Sequence, residues 1–361
     1  MTIDWFNTMI ANIRLIESLV EDQSKPFSGV IFIRNGDKVI FEKSYGMANR
    51  ADSVTNKIDT RFGIASGCKI FTAVSICQLV EQGLLKFETN LKDCLSIDFP
   101  HFDAGITIHS LLTHTSGIPD YFDEEVDDDY EKLWQDRPVY VMREPGDFVP
   151  MFQNDEMKFP PGERFCYSDA GFILLGAIVE EATGLSFTEY VEKHVFAPCG
   201  MDRSGYFSSD SLPPDTARGY IQDDDGSWRT NVFAIPVVGG PDGGAFTTAH
   251  DLDKFWTALF ENRLLSNDIA KRMLTPQIEA KSEGEGKHYG YGVWMNADRD
   301  SVESYFVEGW DPGVAMISEV FPEKRVRITI IGNSNYPAFQ VHQSIKDAMG
   351  IQVRIPKNRN T

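Results

Sequence analysis

This sequence predicts an α+β fold: a mainly antiparallel sheet built from both termini, flanked by helices and carrying a helical insert. Two observations lead there. Strand-like segments occur near the start and again near the end, while the middle is rich in helix signals, Pro, Gly and acidic loops. The early strands read as a hairpin and the late ones as a meander, connections that favour antiparallel pairing. The expected organisation is one domain over residues 1–361, with an α/β subdomain from 1–83 and 237–361 and a helical subdomain over 84–236.

The first element is an amphipathic helix, with Phe6, Met9, Ile10, Ile13 and Val20 on its apolar side. It lacks the basic start and apolar run of a secretory leader. Segments 27–34 and 38–45 follow as strands joined through Asn35-Gly36-Asp37, a hairpin turn signal. Residues 64–80, IASGCKIFTAVSICQLV, place Ile70, Ala73, Val74, Cys77 and Val80 at helical spacing, with Gly83 as the stop signal. A second clear helix covers 168–183 and closes at Gly184, and another covers 186–196. Strands are expected over 292–296, 304–308, 313–321 and 326–333, then a last helix over 338–349. There is no internal repeat.

Composition narrows the function classes. The apolar content of 42 % and aromatic content of 12 % mark a globular chain. A net charge of -20 argues against nucleic acid and anionic membrane as partners, since both need a basic patch. Residues 120–131, DYFDEEVDDDYE, concentrate acid in what reads as a solvated loop. Cys68, Cys77, Cys94, Cys166 and Cys199 form no CxxC pair and are odd in number, which reads as free thiols in a reducing compartment. No apolar stretch is long and uncharged enough to span a bilayer. The expected location is cytoplasmic. Composition is silent on oligomeric state.

The chemistry starts at Lys69, the only charged side chain in residues 64–80. A charge inside a buried helix needs a partner, and burial disfavours the ammonium form. Ser66 lies three residues earlier and shares the helix face, so a nucleophile stands beside a candidate base. Ser66-Gly67-Cys68-Lys69 fits the S-x-x-K pattern. A helix N-terminus beside Ser66 would favour a developing oxyanion. No metal-ligand spacing occurs among the histidines, and Asp223-Asp224-Asp225-Gly226 reads as a hairpin turn.

Several ordered phrases resemble the serine β-lactamase and penicillin-binding-protein superfamily, in its class C and esterase-like branch. They are 62–73 around the serine, LLTHTSGIP at 111–119, PGERFCYSD at 161–169, GGAFTTAHDL at 243–252 and YGYG at 289–292. The resemblance implies that Ser66 is acylated and that Lys69 takes its proton or stabilises the alkoxide. It implies that Tyr167 relays the proton to the leaving group and then activates water. Which of Lys69 and Tyr167 is the base stays open. His114 and Ser116 sit in a phrase that is structural in the family, so His114 reads as a satisfied buried histidine. No cofactor and no metal is implied.

Two positions depart from the family pattern. Asp169 stands where the family commonly has asparagine. An ionised aspartate only accepts hydrogen bonds, so it either pairs with Lys69 and raises the lysine pKa or binds a substrate ammonium. The K-T-G or H-x-G strand motif is replaced by Val307-Glu308-Gly309, read through Pro312-Gly313. The motif cation is therefore missing, and Glu308 stands beside the gap. Gly309 would still let the strand approach the substrate, and the Trp310 N–H would complete the oxyanion hole.

These departures favour neutral or cationic acyl compounds over anionic ones. The expected activity is a serine hydrolase of small esters, amides or peptides, D-amino-acid compounds among them. Two alternatives stand beside it. One is a β-lactamase or D-Ala-D-Ala carboxypeptidase. The other is a catalytically impaired binding or sensor protein with the same fold.

Overall fold

The computed structural model describes Glu17, Ser18, Val20 and residues 26–351, except 124, 127, 128, 136, 224, 299, 300, 336 and 337. The expected N-terminal helix lies outside the described residues apart from its last turn.

Eight strands form one antiparallel sheet. In chain order they are β1 (Gly29–Asn35), β2 (Lys38–Tyr45), β3 (Ile278–Glu279), β4 (Lys287–Tyr289), β5 (Trp294–Ala297), β6 (Val302–Asp311), β7 (Val314–Phe321) and β8 (Val326–Gly332). Their spatial order is β2-β1-β8-β7-β6-β5-β4-β3. The chain ends meet where β1 pairs with β8, with Gly29 opposite Gly332 and Asn35 opposite Val326. Strands from the two ends of the chain thus join in one sheet, next to its β2 edge. The edge pair β3 and β4 is too short and too polar to show a period-2 pattern in the sequence. Strand β6 is longer at both ends than its apolar stretch suggests.

Both faces of the sheet are covered. On one face Val30, Phe32, Val307, Met316 and Ile331 pack with helix α1 (Lys69–Glu81) in the larger apolar cluster. On the other, Ile31, Ile33, Phe306, Ile317 and Ile330 pack with Val341 and Ile345 of helix α4 (Ala338–Ala348). All eight residues of β7 are buried for that reason. Helix α3 (Ala249–Phe260) is tied to the sheet by Trp256 Nε1, which donates to Ser318 Oγ at 3.0 Å.

Helix α2 (Asp169–Thr183) crosses the helical region beside α1. Ser168 caps it by accepting from Gly171 N, and Gly184 ends it in the left-handed region at φ 69°. The following helix starts at a Ser186 capping box as Phe187–Val191 but widens to a π turn over Glu192–Phe196 before a last turn at Ala197–Cys199. Residues 220–230 form a hairpin of Tyr220–Gln222 with Trp228–Thr230, the turn that the aspartate-rich stretch suggests; Asp224 lies outside the described residues. All five cysteines are free.

Candidate active site

Ser66 does not sit in the α-helix itself. It occupies a 3-10 turn, Ala65–Cys68, that leads into α1. Ala65 is held in the left-handed region at φ 46°. The glycine-rich 239–245 loop fixes this turn: Ile64 N donates to Ala245 O at 2.9 Å and Gly244 N to Ala65 O at 3.3 Å. The loop needs its glycines, because a Cβ on Gly239 would stand 2.3 Å from Gly244 O.

The Lys69 side chain is 2 % exposed and makes three hydrogen bonds. Nζ donates to Ser66 Oγ at 2.9 Å, to Asp169 Oδ1 at 2.5 Å and to the Asp242 carbonyl at 2.6 Å. An ammonium has three protons and no acceptor, so this arrangement matches the charged form. Burial alone would pull the Lys69 pKa down, but Asp169, Tyr167 and Asp242 outweigh it and hold it well above the ordinary lysine value. The Asp169 departure thus takes the first of its two sequence readings, a partner for Lys69.

Asp169 is the first residue of α2, placed by the Ser168 cap. Two further acids crowd it. Burial, then Asp169, pushes the Asp242 carboxyl up to about 6, and its Oδ2 accepts from Tyr121 OH. Burial and Asp169 likewise raise Asp120, whose Oδ1 accepts from Ala170 N at 3.1 Å. The acidic loop is therefore not all solvated: its first residue turns inward. Asp242, Tyr121 and Asp120 were invisible as site residues in the sequence. The signal that was available is position: Asp242 abuts the Gly243-Gly244 phrase and Asp120 directly follows the LLTHTSGIP phrase.

Tyr167 lies against Lys69, whose Nζ is 4.8 Å from the ring centroid. It lines the same cleft as Ser66. His114 positions this segment. Its ring stacks on Tyr167 at 4.4 Å, its Nδ1 accepts from Ser168 N at 3.0 Å, and its carbonyl accepts from Cys166 N at 2.8 Å. Burial, then Lys69, drives the His114 pKa well below the ordinary value, so the imidazole is neutral. His114 is a buried structural histidine that orients the tyrosine, but it is not the fully satisfied one the sequence suggests, because its Nε2 is buried without a hydrogen-bond partner among the described residues.

Strand β6 forms the opposite wall. Gly309 is required there by contact: a Cβ would meet Ile64 O at 2.2 Å and Ser66 N at 3.0 Å. Val307 is buried in the apolar cluster on the face toward α1 and brings no charge. Glu308 faces the cleft, 29 % exposed, with Lys287 Nζ of β4 at 4.0 Å. This cation comes from a strand too short to be read in the sequence. Trp310 is 42 % exposed at the cleft rim, its ring 6.3 Å from Tyr130. The open cleft over Ser66 has a volume of about 560 Å³.

A family model described as Beta-lactamase matches residues 13–348, nearly the whole chain. The chain belongs to the Beta-lactamase family. Among relatives of the family, Penicillin-binding protein 4* of Bacillus subtilis (strain 168) is 28 % identical over 335 residues, covering 88 % of this chain and 70 % of that protein. The solved penicillin binding protein from Bacillus halodurans is 47 % identical, with a TM-score of 0.87 over 92 % of this chain and 99 % of that one. A D-stereospecific amidohydrolase from Streptomyces sp. shares the fold at 22 % identity, with a TM-score of 0.77 over 94 % of this chain and 98 % of that one. The α+β architecture with its large antiparallel sheet is that of this Beta-lactamase fold.

Proposed function

We propose that this chain is a serine hydrolase that cleaves small esters, amides or peptides through an acyl-enzyme on Ser66. The observation that carries this reading is Lys69 Nζ at 2.9 Å from Ser66 Oγ, inside a cleft open to a small molecule. With its three protons engaged, Lys69 acts as a cation. It stabilises the Ser66 alkoxide as the hydroxyl proton leaves. Tyr167 in its phenolate form is then the proton acceptor, because of the two tyrosines that line the cleft, Tyr130 and Tyr167, it is the one that stands against that cation. The phenol returns the proton to the leaving group and activates the water that hydrolyses the acyl-enzyme.

Backbone amides of Ser66 and Trp310 supply the oxyanion hole in this reading. Support comes from Gly309, whose missing side chain brings β6 against Ser66 N. The pocket favours neutral or cationic acyl groups, since Val307 offers no cation to a substrate carboxylate. The test is turnover of p-nitrophenyl acetate and butyrate by the native chain and by Ser66→Ala. Loss of turnover in the variant supports the acyl-enzyme, and unchanged turnover refutes it.

A further inference from the structure

The charge on the cleft wall has a consequence for substrate choice. Among the described residues that line the open cleft, the charged side chains are Glu283 and Glu308; the adjoining cavity that also borders Ser66 adds Asp169, Asp242 and Asp311 with Arg218 as its cation. Lys69 is enclosed beneath the floor and is already matched by Asp169. Glu308 lines the same cleft as Ser66, and on β6 its side chain leaves the strand on the same side as that of Trp310, opposite to the face that Gly309 turns to Ser66 N. Its ion pair to Lys287 is long, at 4.0 Å, and Lys287 is also drawn over the rings of Trp294 at 5.7 Å and Phe306 at 5.6 Å. Around Glu308 the cleft presents Tyr167, Trp294 and Trp310. A carboxylate set among aromatic rings is an environment that recognises organic cations, through a charge-assisted hydrogen bond and the negative faces of the rings. The net charge of -20 adds a long-range attraction of the same sign.

We propose that Glu308 is a specificity-determining residue that anchors a protonated amine on the substrate, so that the site takes ammonium-bearing esters or amides. This rests on the reading of the cleft as a hydrolase site. Lys287 acts as the intramolecular competitor that the ammonium displaces from Glu308.

Binding of unreactive probes to the native chain tests the proposal without depending on catalysis. The probes are 2-phenylethylammonium, 2-phenylethanol and 3-phenylpropionate, followed by calorimetry and by the fluorescence of the cleft tryptophans. The ammonium is expected to bind about tenfold or more tightly than the alcohol, as a charge-assisted contact requires. Glu308→Gln should bring the two within about twofold, and Lys287→Ala should widen the gap by freeing the carboxylate. Equal binding of ammonium and alcohol, tightest binding of the carboxylate, no binding of any probe, or a preference that survives in Glu308→Gln would each overturn it. If Glu308→Gln fails to fold by circular dichroism, Lys287→Ala decides: an unchanged or reduced ammonium preference overturns the proposal. Failure of the hydrolase reading shows separately, as absence of a covalent adduct on Ser66, and leaves the order of probe binding intact.

Discussion

Lys69 Nζ and Asp169 Oδ1 lie 2.5 Å apart, and both side chains are buried, at 2 % and 5 % exposure. The pair joins the first residue of α1 to the first residue of α2, and so joins the Ser66 turn to the Tyr167 segment. It also sets the charge state of the site. A lysine held as ammonium is a stabiliser of negative charge rather than a base, which is why the proposed reaction assigns the proton transfer to Tyr167.

Asp169→Asn is expected to reverse that setting. Without the carboxylate, burial pulls the Lys69 pKa down. Activity that needs the ammonium is present below the Lys69 pKa and lost as pH rises through it. In the native chain that loss lies above the ordinary lysine value, and in the variant it moves to lower pH. The alkaline limb of kcat/KM, measured with a neutral ester, reports the shift. Superimposable limbs would show that Lys69 protonation does not control the reaction.

Gly309→Ala is expected to be severe. Its Cβ would press on Ile64 O at 2.2 Å and on Ser66 N at 3.0 Å, so strand and nucleophile turn must separate. Overpacking of this kind costs about 1–3 kcal/mol. Misplacement of the serine by about 1 Å costs about 10²-fold in rate, equal to about 2.7 kcal/mol. Thermal melting and ester turnover together check it, with a loss expected in each.

The fold was legible where residue pattern and local physics agree. The Asn35-Gly36-Asp37 turn, the Gly184 stop and the lone Lys69 in an apolar helix each carry a signal within a few residues. What escaped depends on tertiary meeting. Lys287 reaches Glu308 across the one intervening strand β5, from a three-residue strand with no period of its own. Asp242 and Asp120 become site residues only because the 239–245 loop and the 120–122 segment converge on Asp169, more than forty residues from either. The π turn at Glu192–Phe196 breaks a helix whose apolar spacing looks continuous.

A buried cluster between the sheet and α4 gives a stability prediction. Glu319 of β7 pairs with His342 at 3.0 Å and Lys346 at 3.3 Å, both on α4. Burial alone would raise its pKa, but His342, Lys346 and the Ser304 hydroxyl hold it below the ordinary carboxylate value. The stability it contributes is therefore fully present above the ordinary value and is lost as pH falls through the lowered one. Glu319→Gln removes the buried carboxylate that Lys346 and His342 face and is expected to cost about 3–5 kcal/mol near neutral pH. Urea denaturation at pH 7 and at acid pH checks this: the gap between native chain and variant should narrow at the acid end.

The central claim is an activated Ser66, and the most direct measurement is intact mass after incubation with a fluorophosphonate, with Ser66→Ala as control. A single adduct on the native chain, absent from the variant, is the predicted result. An unmodified native chain, or an adduct that persists in Ser66→Ala, would contradict the account.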